Sequence, residues 1–218
     1  MTKRRFVVLE DRGVLAIDGD DRASFLQGLV SNDTARISHE RAIYAALLTA
    51  QGKYLHDFML AEIGGTIWLD GEAARLADLK RRLSMYRLRA KVTLDERPDL
   101  AVAAVFDSAM FGLPQEPGAA RRLGEGIAFV DPRLIALGAR VMLPREHLRP
   151  ALAEIGAIET EFGDAYKIGR VITIVEVIKP DGDVELRLRA GQFPWVALGM
   201  LRFAQMVVES QIGGPQPE

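Results

Sequence analysis

Cysteine does not occur anywhere in the 218 residues. Disulfides, thiol nucleophiles, Cys-ligated zinc and iron–sulfur clusters held on cysteines of this chain are thereby excluded. Histidine is scarce: His39, His56 and His147 are the only three, and no pair has the spacing that sets two ligands on one helix face. No bound metal is expected. An excess of one charge is also missing, since 28 Lys and Arg against 30 Asp and Glu leave a net charge of −2. Direct nucleic-acid binding and attraction to an anionic membrane therefore have no global electrostatic basis.

Long apolar runs are lacking as well. The first one, residues 6–9, stops at Glu10 and Asp11, too short for the core of a signal peptide. No segment approaches the roughly 20 apolar residues of a membrane span. A cytoplasmic protein is the expectation. The sequence contains no G-x-G-x-x-G between a strand and a helix, no G-x-x-x-x-G-K-[ST] loop and no G-x-S-x-G elbow, which removes the usual dinucleotide, kinase and serine-hydrolase readings.

What is present is the balance of a globular protein with a sizeable core, 49% hydrophobic and 27% charged residues. Residues 13–17 (GVLAI) read as a strand. A helix is expected over 18–33, with Asp18 or Asp20 at its start and Phe25, Leu26, Leu29 and Val30 on one face. Residues 43–49 and 54–61 form a predicted hairpin turning at Gly52, and Gly64-Gly65 marks a second one. A helix follows over 72–90, with Leu76, Leu79, Leu83 and Tyr86 as its apolar stripe, and then a strand at 91–94. Further strands are expected at 100–106, 127–130 and 139–143 and a helix at about 145–155, with the Pro- and Gly-containing stretch 111–126 as loop. This is an α+β pattern, with helices packed on one side of a sheet. After residue 163 the pattern turns to β: two alternating runs flank Pro180-Asp181-Gly182, WVALGMLRF is another strand candidate, and the tail GGPQPE is expected to be disordered.

Within the strand 54–60, strict alternation puts Leu55, Asp57 and Met59 on one face and Tyr54, His56, Phe58 and Leu60 on the other. A carboxylate among leucine and methionine marks either the edge of a core or a pocket that needs one fixed negative charge. His56 and Asp57, as strand neighbours, face apart and do not form a dyad. The basic cluster RRLSMYRLRAKV carries Arg81, Arg82, Arg87, Arg89 and Lys91 around Tyr86. It is either the solvated end of a helix, where cations offset the dipole, or a recess for a polyanion.

Three stretches together resemble the YgfZ/GcvT-like family of folate-binding proteins, relatives of the glycine-cleavage aminomethyltransferase. They are DGDDRASFLQGLVSND (18–33), YAALLTAQGKYLHDFML (44–60) and RLSMYRLRAKVTL (82–94), in matching order and spacing across about the first 95 residues. The resemblance implies an aminomethyltransferase-like folate-binding domain over 1–165 with a shortened second half, a C-terminal β-barrel-like segment over 166–212, and a tail over 213–218. It implies tetrahydrofolate as ligand, with Asp57, Leu55, Met59, Tyr86, Arg87 and Arg89 as candidate folate-binding residues and no catalytic residue. It implies iron–sulfur enzymes as clients, in cluster assembly or repair and the tRNA modification linked to it. In the aminomethyltransferases the hairpin reads D-D where this sequence reads His56-Asp57, which puts transferase chemistry in question. The family signature K-G-C-Y-x-G-Q-E is missing: EFGDAYKI passes directly to GRVITIVEV. A one-carbon transferase and an interaction protein that keeps only the fold remain the alternatives.

Overall fold

The computed structural model describes residues 5–106, 108–160, 173–178 and 184–189. The chain divides into two compact units, residues 1–161 and 162–218. In the second, strands Thr173–Ile178 and Val184–Arg189 pair antiparallel from Thr173 opposite Arg189 to Ile178 opposite Val184. The connection between them, the WVALGMLRF strand, the barrel-like closure and the tail lie outside the described residues.

The first unit stacks two sheets face to face, antiparallel throughout except where Ile158–Glu159 joins Arg5–Val8 in parallel. Strands β1 (Arg5–Val8), β2 (Arg12–Asp18), β3 (Ile43–Leu48), β4 (Tyr54–Ile63), β5 (Thr66–Glu72) and β6 (Thr93–Glu96) come first along the chain. β7 (Leu100–Val105), β8 (Ala120–Leu123), β9 (Gly126–Val130), β10 (Ala139–Pro144) and β11 (Ile158–Glu159) follow. The first sheet runs β3-β4-β5-β2-β6 and the second β11-β1-β7-β10-β9-β8. Helices α1 (Arg22–Gln27) and α2 (Leu76–Tyr86) belong with the first sheet, and α3 (Arg145–Glu154) with the second.

Alternation along the strands supplies three apolar layers. Leu15, Ile17, Phe58, Leu60, Ile67 and Leu69 point outward from the first sheet onto Phe25 and Leu26 of α1 and Leu76, Leu79 and Leu83 of α2. The opposite faces of the same strands send Val14, Ala16, Met59, Ala61 and Trp68 against Leu100, Val102, Ile127, Phe129 and Met142 of the second sheet. Each fully buried leucine on α2 contributes about 1.5–3 kcal/mol, so the stripe alone fixes that helix. Helices cover one face of the first sheet as expected, while the other face meets a second sheet that strand-by-strand reading does not reveal.

Both hairpin turns form where glycine allows positive φ. Gly52 has φ +75°, and Gly64 and Gly65, at +58° and +86°, join β4 to β5 with Ile63 opposite Thr66. Other boundaries move. α1 has only six residues, and Asp21 occupies its N-cap position without a side-chain cap bond. The Asp21 carboxylate instead accepts from the Lys91 backbone N–H at 2.8 Å, while Asp18 accepts from Gly19 N–H at 2.6 Å. Neither Asp18 nor Asp20 caps the helix. α2 stops at Tyr86 rather than continuing to residue 90, since Leu88 adopts a left-handed φ of +42°. Tyr86 is therefore solvent-exposed and drops out of the stripe. The stretch 120–123, expected as loop, pairs with β9 as β8.

Candidate functional site

β4 carries the candidate carboxylate, but its alternation is interrupted. Leu47 pairs with His56 and Leu48 with Tyr54, so Leu55 has no partner across the ladder and forms a bulge. An extra residue reverses the facing of whatever precedes it. Leu55 accordingly packs against the outer, helix-covered cluster. Tyr54 comes to the side of Asp57 and donates its hydroxyl to Asp57 Oδ1. The expectation that Leu55 shares the face of Asp57 and Met59 is thus corrected, while Asp57 and Met59 do share the inner face.

Along that inner face Ala61 and Met59 are buried between the sheets, and Asp57 is half-buried where the layer opens. Tyr44 on β3 donates to Asp57 Oδ2 at 3.0 Å. Desolvation, the Asp57 charge and this hydrogen bond push the Tyr44 phenol up to about 12. Arg133 stands over the Tyr44 ring with its guanidinium carbon 5.8 Å from the centroid.

Behind this group runs a chain of buried ions joining the two sheets. Asp70 on β5, fully buried, accepts from Arg12 Nε of β2 at 2.7 Å and from Arg140 Nη1 of β10 at 3.3 Å. Arg140 Nε lies 3.8 Å from Asp131, which Arg133 grips through Nε at 2.9 Å and Nη2 at 2.6 Å. Burial by itself lowers the Arg12 guanidinium, but Asp70, by charge and hydrogen bond, together with Asp57 and Asp11, more than reverses this. Arg140 is shifted down, by desolvation and by the like charges of Arg12 and Arg133. The alternating signs make the chain tolerable in a low-dielectric setting, where any single member alone would be costly. None of Arg12, Asp70, Asp131, Arg133 or Arg140 stands out in the sequence. The pairs Arg12–Asp70 and Asp70–Arg140 are 58 and 70 residues apart, beyond any local pattern.

The remaining candidates are elsewhere. β4 and β2 both run antiparallel to β5, so Asp57, near the start of β4, lies toward the start of β2. α2 begins at that end, where Arg75 donates to the Leu55 carbonyl at 2.6 Å. It finishes at the other end, where Lys91 meets Asp21 beyond the close of β2. Tyr86, Arg87 and Arg89 are exposed there, on the helix side of the sheet. The structure therefore separates them from Asp57 by the sheet and by the length of α2. His56 turns as expected to the face opposite Asp57, is buried, and has Nε2 3.0 Å from Asp78 Oδ2 of α2. Burial holds the His56 imidazole below its usual range, the hydrogen bond to Asp78 opposing it. Asp78 is held well below the usual carboxylate range by Arg82 and Arg81, with His56 adding to them.

A separate cavity of about 650 Å³ is lined by Arg36, Arg41, Glu116 and Arg121 among others, and none of the six candidate residues lines it. Among the described residues no group of three or more His, Cys, Asp or Glu could hold a metal ion, and no helix is long and apolar enough to cross a membrane.

Two stacked, mainly antiparallel sheets with helices on their outer faces form a GcvT-like fold. The aminomethyltransferase of the glycine cleavage system from Bartonella henselae superimposes with a TM-score of 0.59 over 72% of this chain and 48% of its own, at 14% identity, a likeness of fold. The particular relatives are iron–sulfur cluster assembly factors named IBA57. The mitochondrial protein of Homo sapiens is 33% identical over 168 residues, covering 69% of this chain and 45% of the relative. That of Mus musculus is 30% identical over 164 residues with the same coverage, and the Coccidioides immitis homologue 32% over 163 residues, covering 66% and 37%. The chain thus spans less than half the length of these relatives. No family model matches it. Fold and homologues together support a GcvT/YgfZ-like superfamily. They also overturn the cytoplasmic expectation, because these relatives are mitochondrial proteins. The lack of a long apolar run carries no information on the compartment.

Proposed function

We propose that this chain is a tetrahydrofolate-binding accessory protein of iron–sulfur cluster assembly, which holds the folate at Asp57 and transfers nothing from it. The observation that carries the reading is the half-buried Asp57 carboxylate, aimed by the Tyr44 and Tyr54 hydroxyls at the mouth of the inter-sheet layer. A carboxylate is an acceptor-only group, complementary to the N–H edge of a pterin, and two tyrosine donors fix its direction before any ligand arrives. The half-buried Tyr44 ring supplies an apolar wall for such a heterocycle, and Met59 is buried in the layer beneath. These residues fit the group.

The non-catalytic part of the reading rests on His56. In the aminomethyltransferase hairpin a second carboxylate precedes the one at Asp57, whereas here His56 is turned away onto Asp78 of α2. The histidine thus brings no proton to the Asp57 face, where the carboxylate is held by the Tyr44 and Tyr54 hydroxyls, an arrangement that suits binding better than proton transfer. With no cysteine in the chain, iron and sulfide belong to the client proteins, and any effect on tRNA modification is a consequence of client maturation. The missing K-G-C-Y-x-G-Q-E segment removes ligand contacts, so affinity is weak. A thermal-shift series tests this. Tetrahydrofolate at millimolar concentration raises Tm. p-Aminobenzoylglutamate, which lacks the pterin, leaves Tm unchanged. Equal shifts with both compounds, or none with either, count against the reading.

A further inference from the structure

The motif RLSMYRLRAKV is not used by the Asp57 site, and its place in the fold is unusual. Residues 85–89 form a knuckle between α2 and β6. Leu88, at its tip, is 90% exposed and has φ +42°, while Met85 and Tyr86 beside it are each 56% exposed. A leucine in left-handed backbone is strained, and one pointing into water recovers nothing by packing. The knuckle is nevertheless anchored on its C-terminal side. Ala90 packs on the outer core cluster and Val92 is buried in it. Lys91 N–H donates to Asp21 Oδ2 at 2.8 Å, and the Lys91 carbonyl sits where a Cβ on Gly19 would fall, 2.0 Å away. Arg87 and Arg89 flank Leu88, are exposed, and make no ion pair among the described residues.

We propose that this knuckle is a docking surface for a partner protein that presents an apolar recess rimmed by carboxylates. Leu88 and Met85 enter the recess, and Arg87 and Arg89 meet the acidic rim. Preorganisation by the Gly19–Asp21 turn lowers the ordering cost of association, and the unpaired arginines supply complementary charge. A nucleic acid is the poorer match. The leading side chains, Leu88 and Met85, are aliphatic and thioether rather than stacking groups. Given the function proposed above, on which the partner's identity rests, the partner is an acidic iron–sulfur acceptor protein.

The probe is the apo form of a ferredoxin of strong net negative charge, with labelled full-length chain and fluorescence anisotropy as readout, in low and high salt. Wild type binds, more weakly in high salt. Arg87→Glu with Arg89→Glu weakens binding by about tenfold or more. Leu88→Gly releases the backbone strain, so its Tm equals or exceeds that of wild type while its binding falls about tenfold. Weaker binding by a variant at least as stable is a result that misfolding does not produce. Both variants keep the wild-type response to tetrahydrofolate, so loss of the folate response with knuckle-dependent ferredoxin binding intact refutes the folate reading and spares this surface. The proposal is overturned if wild type does not bind apo-ferredoxin, if the variants bind as wild type does, or if a short single-stranded RNA binds more tightly than the ferredoxin through the same residues.

Discussion

The Tyr44 hydroxyl donates to the Asp57 carboxylate at 3.0 Å from the neighbouring strand, and that contact ties an edge strand to the one carboxylate of the β4 hairpin that faces inward. Its consequences are spectroscopic as well as structural. Desolvation and the Asp57 charge hold the Tyr44 phenol up to about 12, so it stays protonated while an exposed tyrosine ionises near 10. Phenolate absorbance should show a late-titrating component for Tyr44. In Asp57→Asn that component moves earlier but stays raised, because burial remains. The stability contributed by this raised group is fully present below about pH 10 and is lost as pH rises through about 12. Coincident titration of all tyrosines in the native protein is the contrary result.

His56 makes the opposite, acid-side prediction. Its pKa is lowered mainly by burial, so on acidification the unfolded chain takes up this proton before the native state does. Stability therefore falls as pH drops below about 6.5, the usual histidine value. Melting curves at neutral and mildly acidic pH should show a Tm loss that shrinks in His56→Gln. An undiminished loss in the variant assigns the acid sensitivity to other groups.

The buried ion chain predicts a large effect from a small change. Asp70→Asn keeps shape but leaves Arg12 and Arg140 without their shared counter-charge. Breaking a buried pair in this way costs about 3 kcal/mol or more, which for a chain of this size is roughly 6–12 °C in Tm. A circular-dichroism melt measures it. A shift under about 2 °C shows that water reaches the chain and screens it.

How much of this is legible in the sequence depends on the range of the interaction involved. Gly52 and Gly64-Gly65 announce both hairpins, because a positive φ is a one-residue property. Leu76, Leu79 and Leu83 announce α2, because helix periodicity is set within four residues. The bulge at Leu55 is different: nothing in YLHDF marks it, and it reverses which of Tyr54 and Leu55 faces Asp57. Asp57 itself could be singled out as a carboxylate among apolar neighbours. Its setting could not, since Arg12, Asp70, Asp131, Arg133 and Arg140 come together only when the two sheets stack. Tyr86 fits the helical stripe numerically, but the left-handed turn at Leu88 closes α2 before that side chain reaches the core.

The most direct measurement of folate binding at Asp57 is a calorimetric titration of tetrahydrofolate into wild type and Asp57→Asn, each at low and high salt. A half-buried, charge-assisted contact of this kind contributes about 1.5–3 kcal/mol, or roughly tenfold to a hundredfold in Kd. The expected result is weak binding by wild type and a loss of that size in Asp57→Asn at both salt concentrations, because a sheltered contact is poorly screened. Equal affinities for the two proteins, or no heat with either at millimolar ligand, would contradict it and leave the chain as an interaction protein on a GcvT-like fold.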